Sequence, residues 1–188
     1  MKNIKNRVQA INLVIFLSGL LFLSGCESTP EKKDVFVPPF DEERAFADLE
    51  AQVAFGPRVP GTEAHQKCMA FLRDTLKNYG GAVNLQSFKH VIDKTGESVQ
   101  LTNVIASFNP EKRNRIILAA HWDSRPWADA EEDTSLHNTP VDGANDGASG
   151  VAVLLQVART LQAHPAPIGV DIAFFDGEDF GSHGDDAT

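Results

Sequence analysis

The sequence predicts an α/β fold on an open sheet, and three stretches carry that prediction. Ile116-Ile117-Leu118-Ala119-Ala120 is continuously apolar, as a strand covered on both faces is. Val151, Leu154, Leu155, Ala158 and Leu161 recur at helical spacing and mark a helix from about Gly147 to Ala163. Gly169 to Phe175 is a second apolar run, read as the next central strand. Strand, crossover helix and parallel strand form a right-handed βαβ unit, whose two strand tips lie on the same sheet edge.

The earlier elements follow in order. Ala45, Phe46, Leu49, Val53 and Ala54 recur at helical spacing after an acidic first turn, so a helix is expected near residues 41–54. Gly56-Pro57-Arg58-Val59-Pro60-Gly61 breaks the chain. Thr62, three residues before His65, then caps a helix that carries Cys68, Phe71, Leu72, Thr75, Leu76 and Tyr79 on one face and ends at Gly80-Gly81. Cys68 on that stripe reads as a buried small hydrophobe. Val83 to Val91 and Ser98 to Phe108 are β-like runs, with Asp93 to Glu97 as the turn of an antiparallel hairpin. A polar loop, Asn109 to Asn114, leads into the first apolar run.

The N-terminus has a different character. Lys2, Lys5 and Arg7 precede an apolar stretch from Ile11 to Leu23, the pattern of a secretory signal. A membrane span needs about 20 apolar residues, more than this stretch supplies. Leu23-Ser24-Gly25-Cys26 resembles the lipobox of bacterial lipoproteins, which implies lipidation of Cys26. Residues 1–25 are therefore expected to be a lipoprotein signal peptide, and residues 26–40, with Pro30, Pro38 and Pro39, a flexible tether. The remainder, 41–188, suits one catalytic-type domain. The expected location is extracytoplasmic, lipid-anchored to a bacterial membrane. With Cys26 lipidated, Cys68 has no disulfide partner, since the chain has two cysteines. Removing residues 1–25 takes away three basic and no acidic residues, moving the formal charge from -9 to -12. That balance argues against nucleic acid as a partner.

The chemistry gathers at the expected strand tips. His121 follows the first run, Asp146 precedes the crossover helix, and Glu178-Asp179 follows the second run. Zinc accepts imidazole nitrogen and carboxylate oxygen, so His121, Asp146 and Asp179 are ligands of the right kind. Glu178, a carboxylate beside such a metal, is the candidate acid/base. Asp123 lies two residues after His121, on the same face if the backbone stays extended, where a carboxylate orients an imidazole. Each is weak alone: Asp146 could be a helix cap, and Asp176, Glu178 and Asp179 a solvated acidic turn. The loop from Trp122 to Asp142 is long enough to be functional. Trp127 either walls a substrate pocket or packs on the base of the loop. His65, His90, His137 and His164 read as surface or loop residues, and the glycines around His183 argue against it as a ligand.

The wording of His121-Trp122-Asp123-Ser124-Arg125-Pro126-Trp127-Ala128-Asp129, Gly143-Ala144-Asn145-Asp146-Gly147-Ala148-Ser149-Gly150 and Phe174-Phe175-Asp176-Gly177-Glu178-Asp179-Phe180-Gly181 resembles the bacterial branch of glutaminyl-peptide cyclotransferases, which share their fold with zinc aminopeptidases. The similarity covers roughly residues 41–188 and includes Arg58-Val59-Pro60-Gly61. It implies a three-layer αβα fold with a mixed, mostly parallel central sheet, zinc-aminopeptidase-like, of which the N-terminal part is present. By the same resemblance Asp146 and Asp179 are zinc ligands, Glu178 is the proton shuttle, and His121 matches the position that binds a second zinc in aminopeptidases. Asp179 stands where many relatives have glutamate.

The function implied is conversion of an N-terminal glutamine of a peptide into pyroglutamate with release of ammonia, using one zinc. The alternative is a two-zinc aminopeptidase; a third reading is a lipid-anchored binding protein without chemistry. Peptide N-termini are the expected substrates. The family has a further zinc-binding histidine and catalytic aspartates beyond the position of Thr188, so the 188 residues are expected to be a fragment, inactive alone and weak in zinc retention.

Overall fold

The computed structural model describes residues 35–91, 96 and 98–180. The segment expected to be a signal peptide, Cys26, the expected tether as far as residue 34, most of the hairpin turn and His183 lie outside the described residues. Pro38–Thr188 form one compact unit; Met1–Val37 form another, of which residues 35–37 are described. No helix among the described residues is long and apolar enough to cross a membrane.

Helix α1, Glu42–Val53, starts at Asp41, whose carboxylate accepts from the Arg44 amide at 2.9 Å. Glu42 and Glu43 place negative charge at the positive end of its dipole. Helix α2, Glu63–Asn78, is capped by Thr62, whose hydroxyl accepts from the His65 amide. Strands β1, Ala82–Val91, and β2, Ser98–Phe108, pair antiparallel with Val91 opposite Ser98, giving the expected hairpin. Strand β3, Arg115–His121, leads through a long loop to helix α3, Ser149–Ala163, and then to β4, Gly169–Phe175. The sheet order is β1-β2-β4-β3. It is mixed: β4 runs antiparallel to β2 and parallel to β3, with His121 opposite Phe175.

The core lies between one face of this sheet and helices α2 and α3. Cys68, Leu72 and Leu76 from α2 meet Val151, Leu155 and Ala158 from α3 over Val104, Ala106 and Phe108 of β2 and Val170, Ile172 and Phe174 of β4. Alternation along β2 and β4 is what aims these residues at the helices. Fully burying a side chain such as Leu72 stabilises the fold by about 1.5–3 kcal/mol.

Two expectations are corrected. Strand β3 is not covered on both faces: it is an edge strand among the described residues, and Ile117 is 63% exposed. Its continuous apolar run reports what a strand can bury, not what is packed against it. The crossover helix starts at Ser149 rather than Gly147, because the wide turn Ala144–Ala148 in front of it takes Asp146 and Gly147 out of helical geometry.

Candidate active site

Strands β3 and β4 end side by side, and their hydrogen-bond ladder runs one step further: the Trp122 amide donates to Phe175 O at 3.0 Å. Extended backbone through this point sends successive side chains to opposite sides. Trp122 enters the core, fully buried, while His121 and Asp123 stay together on the other side.

His121 is ringed by carboxylates. Its Nε2 donates to Asp146 Oδ1 at 2.9 Å, and its Nδ1 lies 3.5 Å from both Asp123 Oδ1 and Glu178 Oε2. At 3.5 Å neither is a good hydrogen bond. Among the described residues His121 Nδ1 and Asp123 Oδ1 are thus buried polar atoms with no partner within hydrogen-bonding geometry, an arrangement that suits a bound cation. The other oxygen of Asp123 accepts from the Asp179 amide at 3.1 Å, tying the β3 tip to the turn after β4. These carboxylates, Asp123 foremost, push the His121 pKa up to about 9 against the opposing effect of burial.

Asp179 sits beside this group, and its carboxylate accepts from Arg125 Nη1 at 3.2 Å. Arg125 is itself forked onto Asp129 at 2.8 and 3.1 Å. Burial raises the Asp179 pKa, Arg125 opposes, and Asp146 and Asp123 add to the rise. Asp146 and Glu178 are largely exposed, so both remain open to a ligand from solvent.

The turn that delivers Asp146 needs a glycine. Gly147 has φ +86, and a Cβ there would stand 2.9 Å from Asp123 O and 3.1 Å from His121 Cε1. Any side chain would push the turn off the imidazole. Arg58 fixes the same turn from behind. Its buried guanidinium donates to Trp122 O at 3.1 Å, Asp142 O at 2.7 Å and Gly143 O at 2.7 Å, and its backbone amide donates to Ser124 Oγ at 2.8 Å.

The structure therefore brings His121, Asp123, Asp146, Glu178 and Asp179 to one place. Trp127 lies partly buried, tilted against Phe180 with ring centroids 6.0 Å apart. One expectation fails here: His65 is not a surface or loop residue but buried, bonded to Asp176 and stacked on Trp122. Asp176 is buried too, against the alternative of a solvated acidic turn. Sequence reasoning also passed over Arg58 and Arg125 as functional groups. For His65 a signal existed: positions 65, 68, 72 and 76 form one helical stripe, and all four residues are buried.

The donor chemistry suits zinc in kind, an imidazole and carboxylates with orphaned buried atoms among them. In number it falls short: among the described residues no group of three His, Cys, Asp or Glu side chains stands at metal-holding separation.

Known proteins can now be set beside this geometry. Residues 103–187 match the model of peptidase family M28, a span that takes in β3, β4 and His121, Asp123, Asp146, Glu178 and Asp179. The chain resembles the crystal structure of Tannerella forsythia glutaminyl cyclase at 48% identity and TM-score 0.75, over 77% of this chain and 50% of that one. It resembles that of a leucine aminopeptidase precursor from Bacteroides thetaiotaomicron at 44% identity and TM-score 0.77, over 79% of this chain and 51% of that one. Glutaminyl-peptide cyclotransferase of Drosophila melanogaster is 29% identical over 65% of this chain and 33% of its own length. The chain thus spans about half the length of the solved structures it matches.

Proposed function

We propose that this chain supplies one side of the active site of a zinc-dependent glutaminyl-peptide cyclotransferase. The observation that carries the reading is the meeting of His121, Asp123, Asp146, Glu178 and Asp179 where parallel strands β3 and β4 end. Open α/β sheets place ligands at that edge. Likeness to the Tannerella forsythia glutaminyl cyclase supports it.

Asp146 and Asp179 would hold the zinc, with His121 at the position of a second ion in the aminopeptidase reading. Zinc held there would supply a Lewis acid for the side-chain amide carbonyl of an N-terminal glutamine. Asp123, through the Asp179 amide, holds the two strand tips together. Glu178 projects into solvent beside them, as a group that meets a substrate must. Its carboxylate takes a proton from the α-amine as that nitrogen bonds to the amide carbon, and delivers it to the nitrogen that leaves as ammonia. Peptide and protein N-termini are the substrates. The ligand set among the described residues is incomplete, so this chain by itself is expected to hold zinc weakly.

The second reading, an aminopeptidase in which Glu178 activates a water, is favoured by likeness to the leucine aminopeptidase precursor. The two separate in one experiment on the full-length natural protein. Cyclisation predicts ammonia release from glutaminyl peptides with one zinc per chain. Hydrolysis of a leucyl anilide with two zincs and no ammonia would overturn it in favour of the aminopeptidase.

The basic residues ahead of Ile11–Leu23, followed by Leu23-Ser24-Gly25-Cys26, support a second part of the proposal: the protein is exported and tethered to a bacterial membrane by lipid on Cys26. Metabolic labelling with palmitate, lost in Cys26→Ser, is the expected result. Equal labelling of that variant would contradict it.

A further inference from the structure

We propose that His65, on helix α2, is a positioning residue that sets the spacing between His121 and Glu178. The proposal rests on the reading of those two residues as active-site groups.

The imidazole of His65 lies between the two strand tips and touches both. Its Nε2 is 2.9 and 3.0 Å from the two oxygens of Asp176. An ionised carboxylate only accepts, so Nε2 carries the proton and donates to it. Asp176 is the first residue after β4 and stands two before Glu178. On the other side, the ring of His65 stacks on the indole of Trp122, with centroids 4.2 Å apart and planes at 21°. Trp122 is the first residue after β3 and directly follows His121. One ring thereby fixes the residue next to the imidazole and the residue that opens the turn to the acid/base.

A single residue of β2 doubles the connection. The Thr102 amide donates to Asp176 Oδ2 at 2.6 Å, and Thr102 O accepts from Trp122 Nε1 at 3.2 Å. The Asp176 amide in turn donates to Asn103 Oδ1 at 2.9 Å. Asp176 is therefore held at its backbone and at both carboxylate oxygens before the chain enters Gly177, whose φ of +83 swings Glu178 toward His121. A Cβ on Gly177 would come 2.6 Å from Leu101 Cδ1, so the turn has little room to choose another path. Nothing within this anchor relaxes Glu178 alone. A change at His65 has to move the β4 turn, the β3 tip, or both.

His65 itself is buried and does not reach solvent, so it acts through Asp176 and Trp122. Partners of this kind cost about 10- to 100-fold when lost. A displacement near 1 Å at reacting groups is enough to give a loss of about that size.

The test compares His65→Phe, which keeps a flat ring on Trp122 but removes the donor, with His65→Gln, which keeps an N–H donor for Asp176. Both are made in the full-length natural protein and read in two ways: steady-state ammonia release, and NMR signals of the Asp179 amide and the His121 ring. In His65→Phe both signals are expected to move, and kcat to fall about 10- to 100-fold, with KM changed by less than about threefold. His65→Gln is expected to restore most of that kcat. Unmoved signals with wild-type kcat in His65→Phe would overturn the proposal. So would equal loss in both variants that tracks only the folded fraction. If His65→Phe does not fold, Asp176→Asn removes the same charged acceptor and is read by the same signals against His65→Gln. Signals that move in a protein whose wild type releases no ammonia would support the positioning role and overturn the cyclisation reading instead.

Discussion

The two ends of the parallel pair β3 and β4 satisfy their polar groups in opposite ways. At the N-terminal end Arg115 donates to Asp171 through Nε at 2.9 Å and Nη2 at 2.6 Å, and to Asn109 O through Nη1 at 2.7 Å. Ser107 donates to the same carboxylate, and the Asn109 side chain donates to Ala166 O and Ile168 O. At the C-terminal end His121 Nδ1 and Asp123 Oδ1 have no hydrogen-bond partner among the described residues, amid four carboxylates. Two aspartates make the contrast sharp: Arg115 holds Asp171 below the ordinary carboxylate range, whereas burial lifts Asp179 above it. One end of the sheet is finished for stability. The other is left unfinished, which is where chemistry belongs.

That contrast breaks most readily at Asp146. Asp146→Ala in the full-length protein is expected to weaken zinc more than 100-fold, beyond the roughly 10- to 100-fold of an outer partner, with little change in melting temperature, because the side chain is exposed. Isothermal titration with zinc and a thermal melt check both halves. Asp123→Asn comes next. It keeps an acceptor for the Asp179 amide but removes a buried charge with an unpartnered oxygen, so zinc affinity should drop about 10- to 100-fold while the fold is as stable or more so. A large loss of stability without an effect on zinc would reverse the distinction between the ends.

At the finished end the effects should fall on stability instead. Asp171→Asn is expected to cost about 1 kcal/mol at neutral pH, since the ion pair with Arg115 is partly exposed, and to leave activity unchanged. Because the folded pKa is depressed, its contribution is present above the ordinary value of 3.8 and fades as pH falls through the lower folded value. Wild type and variant should therefore converge in urea melts at acid pH; a constant gap would contradict this. Smallest in effect is Cys68. Burial pushes its thiol up to about 12, so in a Cys26→Ser variant iodoacetamide should label it only after unfolding.

The sequence shows the elements better than their surroundings. Periodicity located the helices, the hairpin pairing and the parallel strands, because alternation and helical stripes are local properties. It could not tell that β3 lies at an edge, since Ile116 and Ile117 are apolar whether or not anything covers them. The site was legible where spacing carries geometry: Asp123 two residues past His121 on an extended chain, and Asp146 at the entry to α3. Gly147 was read as the start of that helix, and its positive φ is instead what turns Asp146 toward His121. Arg58 and His65 were missed as site-building residues for a different reason. Their tertiary partners are 57 to 111 positions away in sequence, so no local pattern announces them. His65 sits on the buried stripe of α2, yet that stripe says only that it is inside, not that it meets Asp176 and Trp122.

The central claim is that Glu178, at the unfinished end, moves the proton. Ammonia release from a glutaminyl peptide, measured for Glu178→Gln and Asp171→Asn side by side in zinc-loaded full-length protein, tests it most directly. The account predicts a loss of about 100-fold or more in kcat for Glu178→Gln with zinc still bound, and wild-type turnover for Asp171→Asn. Wild-type turnover in Glu178→Gln would contradict it.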